Sequence, residues 1–219
     1  MFQLFASPSS PYARKVRMVL AEKNVAYEFV NEGPSSPGSR IAMMNPLGKV
    51  PVLMTEDERV IYDSRVIVEY IEAVYPENPM MPPAGLERVS VRRWEALADG
   101  MTDAVVAVAV EQSRDNDIQK NPQWIGKQIG KVQRTLAVLN AEIGDRTFCH
   151  GDSYSLADIA IMAAMPYLSM RLPAIDWRNE CPNLGRFFER NAQRKSFIDT
   201  TPPPPPPPKP DPEALSLLD

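Results

Sequence analysis

Three short stretches of this 219-residue chain hold residues able to do chemistry together. The first is Ser10-Pro11 in "SPSSPYARKVRMVLAEK", directly before an amphipathic pattern. Proline suits the first turn of a helix. Ser10 then falls at the N-cap, where backbone N–H groups lack partners and the helix dipole favours negative charge. Such a place suits a plain helix cap, or an anion such as a thiolate held by a hydroxyl. The second is Val50-Pro51, after Lys49 in "NPLGKVPVLM". A proline opening a strand lacks the ladder N–H, and X–Pro is the usual place for a cis bond. A cis bond here would turn the Val50 N–H and C=O outward to an extended, peptide-like ligand. A trans bond would make Pro51 only an edge residue. The third is Asp63-Ser64 at the start of another helical pattern. Its amides and the Ser64 hydroxyl suit a carboxylate, and Asp63 suits an amine; a simple cap is the other reading.

Other chemistries lack their residues. The one histidine, His150, offers no partner histidine for a metal, and no G-x-S-x-G elbow supports a hydrolytic triad. His150 and its neighbour Cys149 read as turn and packing residues. Neither G-x-x-x-x-G-K nor G-x-G-x-x-G occurs, so phosphate and dinucleotide loops are not expected. A net charge of −4 gives no electrostatic reason to expect nucleic acid. Arg14-Lys15-Arg17 and Arg92-Arg93 read as solvated faces. Two cysteines, Cys149 and Cys181, are too few for a disulfide framework. No apolar run is long enough for a bilayer, and the N-terminus lacks the order of a signal peptide. A cytoplasmic protein without membrane partners is expected.

The elements around the three stretches predict two architectures in series. Phe2–Phe5 and Tyr27–Asn31 read as strands around a helix over 10–23. A Gly/Ser/Pro segment over 33–39 and a short apolar turn over 41–44 follow. The strand after Val50-Pro51 returns as a hairpin over 59–62, and a helix starts at Asp63-Ser64. The order is β-α-β-α-β-β-α over residues 1–76. Four prolines between Tyr75 and Glu87 mark a linker, 77–86. Residues 87–200 read as all helical: helices from Glu87 towards Arg114 and over 123–143, a third after the Ser155/Asp158 capping box, and a fourth over 183–193. Trp94, Met101, Met162 and Met165 read as core. The proline-rich tail, 201–219, reads as an extended appendage.

With those stretches in that order, the chain resembles the glutathione transferase family. "SSPYARKVRMVLAEK" resembles its first helix. "NPLGKVPVLMTEDERVIYDSRVIVEYIE" resembles its cis-proline and glutamyl-binding segment, and "GDSYSLADIAI" its helical-domain capping box. The likeness covers residues 1 to about 200 and is nearest the small bacterial, YibF-like branch with a serine-type site. It implies a thioredoxin-like domain followed by an all-helical domain, a homodimer, and glutathione as co-substrate with no metal. It also implies that Ser10 favours the glutathione thiolate, with Ser9 the neighbouring candidate. Val50 and Pro51 would hold the cysteinyl part. Asp63 and Ser64 would hold the γ-glutamyl end, and Lys49 or Arg40 the glycyl carboxylate. A small hydrophobic electrophile would lie near Tyr12, Met101, Thr102 and Val105. Transfer, peroxide reduction and dehalogenation all use this half-site. The rival from another class is a partner-binding protein of the stringent-starvation type on the same fold. Ser10-Pro11-Tyr12-Ala13 has no cysteine, so dithiol exchange at this position is not expected.

Overall fold

The computed structural model describes residues 1–114 and 119–203; the expected tail beyond residue 203 lies outside them. Strand β1 (Phe2–Ala6) leads through α1 (Pro11–Glu22) to β2 (Tyr27–Asn31), which lies parallel to β1 with Leu4 opposite Phe29. Helix α2 (Ile41–Met44) precedes β3 (Val52–Met54) and the short return β4 (Val60–Ile61). β3 runs antiparallel to β1, with Leu53 opposite Leu4, and antiparallel to β4. The sheet order is therefore β2-β1-β3-β4. Helix α3 (Ser64–Val74) completes the first domain.

The sheet buries both faces. Leu4 and Leu53 join Val16, Val19 and Leu20 of α1 and Ile67 and Ile71 of α3 in one core. Phe5 and Val52 point the other way and meet Ile41 of α2. This alternation follows from the two-residue period of a strand. Each such buried side chain contributes about 1.5–3 kcal/mol.

The proline-rich linker is anchored at both ends. Lys23 Nζ donates to the Glu77 and Asn78 carbonyls at 3.0 and 3.1 Å and pairs with Glu72 at 2.8 Å. The Met80 carbonyl accepts the Leu156 N–H at 2.8 Å. Helices α4 (Gly85–Gln112), α5 (Pro122–Ile143) and α6 (Leu156–Arg171) form the second domain with α7 (Trp177–Glu180), α8 (Pro182–Asn191) and α9 (Lys195–Asp199). Trp94, Met101, Met162 and Met165 are buried in its core. Helix α6 is buried along nearly its whole length because it packs on both α4 and α1. Its start is fixed by Asp158, whose carboxylate accepts the Cys149 N–H at 2.7 Å and both the N–H and hydroxyl of Ser155 at 2.8 and 2.9 Å.

Two short helices add to those expected, and one expectation needs correction. Helices α7 and α9 are single turns that periodicity does not resolve. Arg14 and Lys15 are not on a solvated face: they are 3% and 1% exposed. Arg14 donates to the Phe197 carbonyl at 2.9 Å beneath α9, and Lys15 is enclosed between α1 and α4 by carboxylates.

Candidate active site

A cavity of about 550 Å³ opens between the two domains, a size suited to a small-molecule ligand. The first domain supplies Ser9, Ser10, Tyr12, Lys49, Val50, Pro51, Asp63 and Ser64 to its lining. The three sequence stretches thus converge on one space.

Ser10 is the N-cap of α1, with extended backbone (φ −68°, ψ 120°) and Pro11 in the first turn. Its Oγ accepts the Ala13 N–H at 3.2 Å. A hydroxyl that accepts one bond still has its own proton to donate. Ser10 is partly exposed and Ser9 is exposed. Behind them the chain approaches closely: a Cβ on Gly33 would stand 2.5 Å from Ser7 Oγ.

The Lys49–Pro51 wall is built by buried Asn45. Its Nδ2 donates to the Lys49 carbonyl at 2.8 Å, and its Oδ1 accepts the Leu47 N–H at 3.0 Å. Gly48 between them has φ +60°, which suits glycine. The Val50–Pro51 peptide is cis, and Val50 stands outside the β1–β3 register. Lys49 is exposed. Arg40 is not part of this wall: it pairs with Glu32 at 2.8 Å and lies over the Phe5 ring.

Asp63 caps α3 by accepting the Arg65 N–H at 3.0 Å, and Ser64 is buried beside it. Arg65, which sequence reasoning missed, also lines the cavity and places Nε 2.8 Å from Asp99 Oδ2. That hydrogen bond holds the Arg65 guanidinium in its charged form. Asp99 meets Lys15 at 2.8 Å as well, and Lys15 meets Glu95 at 2.8 Å. The buried ammonium is thus neutralised between the domains.

The helical wall differs from expectation. Met101, Thr102 and Val105 are 1%, 4% and 1% exposed and belong to the packed interior; the Thr102 hydroxyl is taken by the Ala98 carbonyl at 2.9 Å. The cavity face of α4 instead carries Asp99, Asp103, Val106 and Ala107, and α6 adds Tyr167 and Arg171. These positions follow the three- and four-residue spacing of a helical stripe. The stripe was legible; which stripe faces the cavity was not. Tyr12 crosses to this wall and donates its hydroxyl to Asp103. Burial, and then that bond to Asp103, push the phenol well above its ordinary pKa. Tyr12 therefore keeps its proton.

His150 Nε2 lies 2.7 Å from Glu87, at the start of α4. Among the described residues no group of three or more His, Cys, Asp or Glu side chains could hold a metal, and no helix is long and apolar enough to cross a membrane. Cys149 is buried, and burial pushes its thiol pKa far up.

Comparison with known proteins gives a consistent picture. Residues 4–79 match the model of the glutathione S-transferase N-terminal domain, and residues 122–190 that of the C-terminal domain. The chain is 40% identical over 201 residues to the uncharacterized GST-like protein YibF of Escherichia coli, across 92% of this chain and 98% of that protein. A glutathione S-transferase from Methylobacillus flagellatus, crystallised with glutathione bound, superposes with a TM-score of 0.89 at 42% identity, covering 93% of this chain and all of that one. A stringent starvation protein A homolog from Haemophilus ducreyi is 28% identical over 167 residues, across 74% of this chain and 72% of that protein.

Proposed function

Because the chain belongs to the glutathione S-transferase family, we propose that it binds glutathione in the interdomain cavity and activates its thiol for transfer to a small electrophile. The observation that carries this reading is the double use of Ser10. Its oxygen accepts the Ala13 N–H, which caps α1, and its own O–H remains to donate to a sulfur at the positive end of the helix. An ordinary thiol, with a pKa near ~8.5, is only a few per cent thiolate at neutral pH. Lowering that pKa by about one to two units is worth roughly 1.4–3 kcal/mol and supplies the nucleophile.

The rest of the cavity fits the rest of the tripeptide. Val50 offers N–H and C=O to the cysteinyl backbone. The α3 N-terminus, with Ser64, receives the γ-glutamyl carboxylate, and Asp63 takes the γ-glutamyl amine. Lys49 takes the glycyl carboxylate. On binding, the thiol gives its proton to solvent. The thiolate stays beside Ser10 and faces the wall of α4 and α6. There it attacks the electrophile with one pair of electrons, and the leaving group departs with the pair of the broken bond. A cytoplasmic homodimer is part of the same reading; exposed Val66 of α3 and Leu86 and Val89 of α4 offer apolar surface for a second copy.

The likeness to the stringent starvation protein A homolog favours a second reading, a non-catalytic protein that works through partners. Retention on immobilised glutathione, followed by assay with model electrophiles, separates the two. The transferase reading predicts retention and turnover that Ser10→Ala abolishes or strongly reduces. Absence of both retention and turnover would overturn the transferase reading and leave the partner-binding one in place.

A further inference from the structure

We propose that Arg171 makes the second-substrate side of the cavity an anion-reading subsite, so that the preferred electrophile carries a carboxylate. This rests on the glutathione reading above. Among the described residues three cations line the cavity: Lys49, Arg65 and Arg171. Arg65 is committed to Asp99. Lys49 stands beside Val50, on the wall assigned to the glycyl end. The two carboxylates of glutathione are thus provided for by the first domain alone. Arg171 comes from the second domain, at the end of α6, and makes no ion pair among the described residues.

The surroundings of Arg171 define the rest of the substrate. Its guanidinium lies 5.4 Å from the centre of the Tyr167 ring. Val106 and Ala107 line the same cavity from α4, so an apolar or aromatic body has apolar walls to lie against. Asp103 is spent on the Tyr12 hydroxyl, and its negative charge repels an anion near Tyr12. An acceptor therefore turns its carboxylate towards α6 and its reacting carbon towards Ser10. A guanidinium can meet that carboxylate through two parallel N–H···O bonds, which a lysine cannot reproduce. A purely hydrophobic electrophile leaves this fork unused.

A matched pair of aryl chlorides tests the proposal. In each, the thiolate forms a C–S bond, the C–Cl bond breaks, and chloride leaves with the bonding electrons. Chloronitrobenzoate carries the anion; the matching chloronitrobenzamide has the same shape without charge. The ratio of their kcat/KM values cancels their intrinsic reactivity when wild type and variants are compared. Arg171→Met is expected to lower the benzoate-to-benzamide ratio about tenfold, through KM, as loss of one charged hydrogen-bonded pair implies. Arg171→Lys should recover part of it. An unchanged ratio, with the benzamide still turned over, overturns the Arg171 proposal and leaves the transferase reading standing. If neither chloride reacts, calorimetry with the two preformed glutathione conjugates decides. A selective loss of about tenfold for the carboxylate conjugate in Arg171→Met supports the subsite, and equal binding overturns it. Failure of both conjugates to bind wild type removes the glutathione reading, and the subsite with it.

Discussion

Arg65 Nε and Asp99 Oδ2 stand 2.8 Å apart, an ion pair that ties the first turn of α3 to α4 beside the cavity. The pair joins the helix start proposed to hold the γ-glutamyl end to the α4 wall of the cavity. It also continues inward, since Asp99 shares its charge with buried Lys15. Asp99→Ala is expected to raise KM for glutathione about fivefold or more by releasing Arg65. It should also lower stability by about 2–3 kcal/mol, because Lys15 keeps only Glu95. In a chain of this length that is a fall in Tm of roughly 5–10 °C. Steady-state kinetics and thermal melting check the two effects; an unaltered KM would separate Arg65 from the glutamyl end.

Tyr12 gives its proton to a hydrogen bond with Asp103 and is held far from ionisation. It is therefore not available to lower the thiol pKa. Tyr12→Phe should change KM for the electrophile while leaving the pH midpoint of kcat/KM within a few tenths of a unit of wild type. A shift as large as that of Ser10→Ala would assign the activating hydroxyl to Tyr12.

Glu22 joins α1 to the segment before α9 and holds Arg194 with two 2.9 Å bonds. Burial raises its carboxyl pKa, but the bonds from Arg194 and Ser196 outweigh this and leave it lowered. A carboxyl lowered in the folded state adds stability above its unfolded pKa, about 4.3, and loses it as pH falls through the folded value. Wild type should therefore lose stability below about pH 4.5 more steeply than Glu22→Gln. Melting temperatures across the acid range measure this; parallel curves would remove Glu22 from acid sensitivity.

Asp158 is fully buried and accepts three hydrogen bonds at the start of α6. Asp158→Ala leaves three donors without their acceptor and should cost about 3 kcal/mol, a fall in Tm of roughly 6–12 °C. Because α6 carries Tyr167 and Arg171, selectivity for the electrophile should loosen as well. A stable variant with unchanged selectivity would show that the cap does not fix α6.

The helix starts at Ser10-Pro11 and Asp63-Ser64 were legible because caps use a few residue types for a local reason, the unpaired amides of the first turn. The order of elements along the first domain and the helical second domain also carried local signals. The helical wall of the cavity did not. Helix α4 buries one stripe in the core and turns another to the cavity, so its period places Met101, Thr102 and Val105 together without saying which space they face. Helix α6 is apolar almost all round, which hides Tyr167 and Arg171 among core positions. Arg14 and Lys15 read as surface charges because their partners, Phe197 on one side and Glu95 and Asp99 on the other, are more than 75 residues away in sequence. Such pairings belong to the packing of domains, not to any local pattern.

The most direct test of the Ser10 assignment is the ultraviolet titration of the thiolate of bound glutathione. Wild type and Ser9→Ala should titrate about one to two units below the ordinary thiol value near ~8.5. Ser10→Ala should return the midpoint to within about half a unit of that value. A Ser10→Ala protein that titrates with wild type would contradict the assignment, leaving Ser10 as a helix cap and nothing more.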